Sequence, residues 1–257
     1  MTVTISKTEG IKMAKDGDTI SPKGNEVWVV LEGEVRVKDQ SGGWCVVYGN
    51  AAIVSSGQID GYCGAFDNAT LASENQSGGD CKANGNATLT SSGQTGGFCG
   101  AFDNAVLISN GQSGGNCWAC GSAALTSKNQ SGGDCEAFDN ATLASENQSG
   151  GDCDAFDNAT LVSENQSGGD CEANDNATLT SSGQTGGFCK AFGNAVLISE
   201  YQSGGKCWAF GKATLTSKNH SNGECVAFDN VTLTSENQSD GNCWVRGNAT
   251  LITEGEQ

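Results

Sequence analysis

The sequence predicts an all-β solenoid, a single domain of parallel strands wound into coils of 18 residues. Three observations carry this. Twelve of the thirteen cysteines stand at 45, 63, 81, 99, 117, 135, 153, 171, 189, 207, 225 and 243, an interval of 18 with no insertion or deletion. Small and apolar residues alternate within each unit, the period of a strand with one buried face. Glycine is abundant and proline nearly absent, 38 residues against 1, which suits many tight turns between short strands.

The elements follow in chain order. Residues 1–26 are expected to form an N-terminal cap, because an open stack exposes core and strand edges. Residues 27–44 (VWVVLEGEVRVKDQSGGW) read as a degenerate first coil, with Val27 and Val29 in place of Cys and Ala, and Val35 in place of Leu. Residues 45–242 make eleven regular coils, each close to C-x-A-F-D-N-A-T-L-x-S-x-N-Q-S-G-G-x, and 243–257 a last, partial coil. Twelve to thirteen coils about 4.8 Å apart would make a rod of very roughly 60 Å.

In the coil that starts at Cys135, the inward residues are Cys135, Ala137, Ala141, Leu143 and Ser145. Phe138-Asp139-Asn140 marks a first corner, and Ser149-Gly150-Gly151 lies at or near another. Asn and Gln are expected at corners, where stacked amides can hydrogen-bond along the axis. The Gln row becomes His220 in one coil. A longer repeat overlies the short one: residues 81–98 nearly recur at 171–188, five coils later.

The formal net charge of −17 argues against direct nucleic-acid binding, which needs cations on the phosphates. It is also the charge of an acidic nucleic-acid mimic. No stretch is long and apolar enough to span a bilayer. Residues 1–26 hold no apolar leader core, so a cytoplasmic chain with reduced thiols is expected, or an extracellular one if a leader has been removed.

The cysteine row reads first as small apolar core, since stacked parallel Cβ vectors are poorly aimed for a bridge. Cys117 and Cys120 have chelating spacing, but an inward and a corner residue cannot chelate together. The corner ring row (Tyr48, Phe66, Phe102, Phe138, Phe156, Phe192, Phe210 and Phe228) reads as stacked packing, with Trp118, Trp208 and Trp244 outward. Glu136, Asp139, Asp154, Asp157, Glu172 and Asp175 cluster in three consecutive coils and read as a solvated face. The N-x-S/T sequons are a by-product of the repeat. No catalytic motif, cofactor loop or metal motif is found, so no catalytic, cofactor-binding or metal-binding residue is expected.

The outward positions flanking the inward Leu are the most informative. They include Thr70, Thr88, Thr90, Val106, Ile108, Thr126, Thr142, Thr160 and Val162. They continue through Thr178, Thr180, Val196, Ile198, Thr214, Thr216, Thr232, Thr234 and Thr250, with Ala or Ile at the remaining places. None is charged over eleven coils. Strand propensity favours β-branched residues, but an exposed strand would normally admit Lys or Glu somewhere. A flat binding face explains the exclusion better.

Three resemblances bear on this. Three sixes per unit, with Ala137, Leu143 and Ser149 six apart, resemble the hexapeptide pattern of left-handed β-helices, which implies a triangular coil. Acyltransferases with that fold use a His in the coil region; the sole candidate is His220, better explained as a drifted Gln. The A-F-D-N-A-T-L unit, over about nine-tenths of the chain, resembles repeat proteins of bacteria and their phages, which implies a solenoid; without a signal peptide, a cytoplasmic or virion-associated location is expected. The Thr rows are similar to the ice-binding face of insect antifreeze proteins. The expected function is a non-enzymatic rod whose neutral face associates with itself or a partner protein. Ice binding through that face and nucleic-acid mimicry are the alternatives.

Overall fold

The computed structural model describes residues 11–57, 60–75, 77–93, 95–111, 113–183, 185–201, 203–219, 221–236 and 242–254. His220, most of the Gln row, residues 1–10 of the expected cap and residues 255–257 of the expected last coil lie outside them. The chain is a parallel β-solenoid of two sheets with 14 strands each. Each regular coil gives one strand to each sheet, for example Cys135–Ala137 and Thr142–Glu146. Like residues pair 18 apart, as in Cys135↔Cys153 and Leu143↔Leu161.

The core lies between the sheets. The Cys and Ala rows of the first sheet face the Leu and Ser rows of the second, and nearly all are 0–1% exposed. Burying one Leu contributes about 1.5–3 kcal/mol, and the row supplies that in every coil. No disulfide joins the thirteen cysteines, and eleven of them are buried thiols packed as core. Burial alone pushes the Cys45 thiol up to about 12.

Corners are made by left-handed residues. Asp139, Asn147 and Gly151 have φ of 60°, 56° and 76°. The first of these places holds Gly in some coils (Gly49, Gly85) and Asp in others (Asp67, Asp103, Asp157), and all have positive φ. Only Gly, Asp and Asn take this conformation routinely, so the choice between Gly and Asp is one conformational requirement met in two ways. At the third place glycine is also sterically required. A Cβ on Gly151 would stand 2.0 Å from the carbonyl oxygen of Gly133 in the coil below.

The described coil differs from the expected triangle. The third six-residue segment is a turn-rich side rather than a third sheet, with only a Ser203↔Ser221 bridge outside the named strands of the described residues. Left-handed Asn147 and Gly151, four residues apart, interrupt any extended run there.

The first coil also departs from its expected frame. Trp28, not Val27, pairs with Cys45, and Val30, not Val29, pairs with Val47. The corner after Val30 is one residue short, and the frame of 18 resumes at Glu34↔Ala52. Residues 11–26 add one more turn, because Ile11–Met13 and Thr19–Ile20 are the outermost strands of the two sheets.

The described glutamines of the row are buried rather than exposed at a corner. Gln130, Gln148 and Gln166 are 0–1% exposed. Gln148 Oε1 accepts from the Ser145 hydroxyl at 3.1 Å and from the Cys153 thiol, and its Nε2 donates to the Gly151 carbonyl at 3.1 Å. One amide thus satisfies two buried donors and the corner carbonyl. We expect Gln148→Ala to cost about 1–3 kcal/mol in urea denaturation, because those groups lose their partner inside the core. The axial amide ladder belongs to the asparagines: Asn158 Nδ2 donates to Asn140 Oδ1 at 3.3 Å and Asn176 to Asn158 at 3.3 Å.

Candidate binding surface

The second sheet positions the Thr-rich residues. In a strand such as Thr142–Glu146, Leu143 and Ser145 point in, so Thr142, Ala144 and Glu146 point out. From Glu34↔Ala52 to Glu236↔Glu254 this sheet pairs without a register shift. Outward residues therefore stack in straight rows about 4.8 Å apart along the axis and about 6.7 Å apart across it. From Thr70 to Thr250 the strip runs about 48 Å. The row nearer the first corner is the more open: Thr70, Thr142, Thr160 and Thr214 are exposed, whereas Thr90, Thr126, Thr180 and Thr216 are half-buried.

The strip is two rows wide, as the sequence places it. The third outward row of the same sheet carries charge at Glu74, Lys128, Glu146, Glu164, Lys218 and Glu236. Lys128 pairs with Glu146 at 3.1 Å and Lys218 with Glu236 at 3.7 Å. The Asn ladder bounds the other side. At the N-terminal end the neutral rows stop at Glu34 and Arg36, themselves an ion pair at 3.0 Å.

The outward face of the first sheet is chemically opposite. Of the acidic cluster, Glu136, Asp154 and Glu172 stack there in adjacent strands, while Asp139, Asp157 and Asp175 sit at the corner. The corner carboxylates are structural: Asp139 Oδ2 accepts from Gly121 N–H at 3.1 Å. Asp134, Asp152 and Asp170 form a further such row. Asp152 Oδ1 accepts from Asp170 N–H at 2.9 Å, and Asp170 Oδ1 from Phe188 N–H at 3.0 Å. Asp154 has no such role, and its carboxyl is pushed up to about 7, by burial first and then by Glu172, Asp152 and Glu136. Among the described residues no group of three His, Cys, Asp or Glu is arranged to hold a metal ion. Cys117 faces the core while Cys120 sits half-buried at the corner, so that pair does not converge.

Aromatic rings flank the acidic stretch. Phe98 and Trp118 meet edge to face at 4.9 Å on one side, Phe188 and Trp208 at 5.2 Å on the other. Corner rings stack as expected, for example Phe138 on Phe156 at 5.0 Å. Sequence reasoning missed one feature. Trp44, Tyr48, Tyr62 and Phe66 wall an apolar hollow of about 480 Å³ floored by Val29 and Val46. The available signal was the run of apolar outward residues in the first coils, where regular coils carry Glu, Asp or Lys.

The fold and the strip define the class of this molecule: a tandem-repeat parallel β-solenoid with a chemically divided surface. No family model, curated protein or solved structure matches the chain.

Proposed function

We propose that the protein is a non-enzymatic structural rod whose two-row neutral strip binds a second copy or a partner protein side-on. One observation carries this reading. On a chain of net charge −17, both rows stay uncharged over eleven coils while the adjoining row of the same strands carries Glu and Lys. Strand propensity does not distinguish these rows, so the exclusion follows the surface and not the backbone. A neutral, β-branched strip desolvates at low cost.

The test is sedimentation at high protein concentration, with and without Thr142→Lys and Thr160→Lys. Side-by-side association or captured partner that the double variant loses supports the reading. A rod that neither associates side-on nor captures a partner, and that the variant leaves unchanged, removes it.

Ice binding is the second reading, favoured by the full T-x-T pairs Thr88/Thr90, Thr178/Thr180, Thr214/Thr216 and Thr232/Thr234. Aliphatic Val106/Ile108 and Val196/Ile198 break the hydroxyl rows. Thermal hysteresis at millimolar protein decides it. Nucleic-acid mimicry fits less well, since the outward acids of the first sheet concentrate in three coils between aromatic rings.

A further inference from the structure

The outward face of the first sheet carries a site of a different kind, in which rings converge over glycine. A Cβ on Gly64 would stand 2.7 Å from the Tyr62 ring and 2.9 Å from the Phe66 ring, so the two side chains meet above it as an arch. Gly100 is spanned in the same way, with Phe98 and Phe102 each 2.6 Å from its Cβ position. Lys82 stands between the two arches, in the row of Gly64 and Gly100. Its ammonium lies 5.7 Å from the centre of the Tyr62 ring and 5.4 Å from that of Phe98. The space between the arches therefore holds a cation supplied by the chain itself. Lys190 and Lys206 on the same face lie over Phe188 in like manner, at 5.2 and 5.9 Å.

On the other side of the first arch, the row that holds Lys82 continues as Val46 and then Val29. Here lies the apolar hollow of about 480 Å³, a volume within the range of small-molecule sites. Val29 and Val46, 5% and 8% exposed, form its floor. Trp44 and Tyr48 form its walls and are exposed, while Tyr62 and Phe66 close one end. Each wall ring meets an end ring, Trp44 with Tyr62 at 4.9 Å and Tyr48 with Phe66 at 5.0 Å between centres. The Tyr62 ring that Lys82 covers from one side thus belongs to the wall of the hollow on the other.

We propose that this hollow binds a small quaternary ammonium compound, a trimethylalkylammonium cation. Three observations select that class. The faces of aromatic rings attract cations, and the arch already takes one from Lys82. A chain of net charge −17 with Asp67 at the hollow draws cations and repels anions. The lining also discriminates among cations. Asp67 is its one carboxylate among the described residues, and that group already accepts from the Gly49 N–H at 3.1 Å. The N–H groups of a primary ammonium sunk against the valine floor would lose their partners. A quaternary nitrogen has no N–H and presents methyl groups to the valines. This site is on the opposite sheet to the neutral strip and is independent of it.

The experiment is a ligand-observed NMR titration of the full chain with choline and with 3,3-dimethylbutan-1-ol, its uncharged carbon analogue of the same shape. Choline should bind with a dissociation constant of about 1 mM, and the analogue about ten-fold more weakly. Trp44→Ala removes an exposed wall ring and should weaken choline about ten-fold. Asp67→Asn keeps a residue that tolerates the left-handed corner and should weaken it about three-fold. Val46→Lys should abolish binding, by placing an ammonium of the chain where Lys82 stands beyond the arch. Trp118→Ala, a ring elsewhere on the same face, should leave it unchanged. The absence of choline binding up to about 20 mM overturns the proposal. So does equal binding of the uncharged analogue, or binding that Trp44→Ala leaves untouched. The comparison of choline with its analogue uses the unaltered protein, so it decides even if Val46→Lys fails to fold.

Discussion

Replacing Gly151 by alanine is expected to destabilise the solenoid by about 2–5 kcal/mol. Two costs add. The left-handed φ of 76° costs an L-residue about 1–2 kcal/mol. The new Cβ would also stand 2.0 Å from the Gly133 oxygen and 2.8 Å from its carbonyl carbon. Both are backbone atoms of the adjoining coil, so neither can swing aside, and the coil must separate from its neighbour. Gly186→Ala is the matched control: its Cβ meets nothing within 4 Å and its φ is not left-handed. That change should stay within about 0.5 kcal/mol. Urea denaturation of the two variants measures the contrast, and equal midpoints would refute the steric account. Because stability in such a stack is nearly a sum over coils and their interfaces, amide exchange in the first variant should rise in the coils around 133–151 before it rises elsewhere.

Asp154→Asn is expected to act in the opposite direction, stabilising the protein by about 1–2 kcal/mol at pH 8 after allowance for screening. The carboxyl titrates near 7 in the fold and near 4 in the unfolded chain. The folded state therefore holds this proton more tightly. Its contribution to stability is complete below about pH 4 and declines as pH rises towards 7, where burial and the charges of Glu172, Asp152 and Glu136 all oppose the carboxylate. Thermal melting from pH 4.5 to 8 should show this fall in the unaltered protein and a shallower one in the variant. Identical slopes would mean that the acidic stretch is fully solvated.

The 18-residue frame, the inward rows and the uncharged Thr strip were all legible in the sequence, because each is a pattern of polarity at period two or 18. What escaped reading is conformational or local. Asp67 and Gly85 look unlike as side chains, yet they share one left-handed slot. Gln148 reads as a polar corner residue, yet it is buried because Ser145, Cys153 and Gly151 satisfy its amide. Trp28 takes the place opposite Cys45 because the next corner lost one residue, a slip that matching Gln and Gly further along conceals.

The unshifted register of the second sheet has an evolutionary consequence. Any whole coil between Ala52 and Glu236 meets its neighbours through the same pair of edges, so units of 18 can be gained or lost without disturbing the rest. The near-identity of 81–98 and 171–188 is a trace of such copying, and the ring pairs at Phe98/Trp118 and Phe188/Trp208 stand the same 90 residues apart. In such a stack length is set by the number of coils, and the distance between two surface landmarks can change only in steps of one coil.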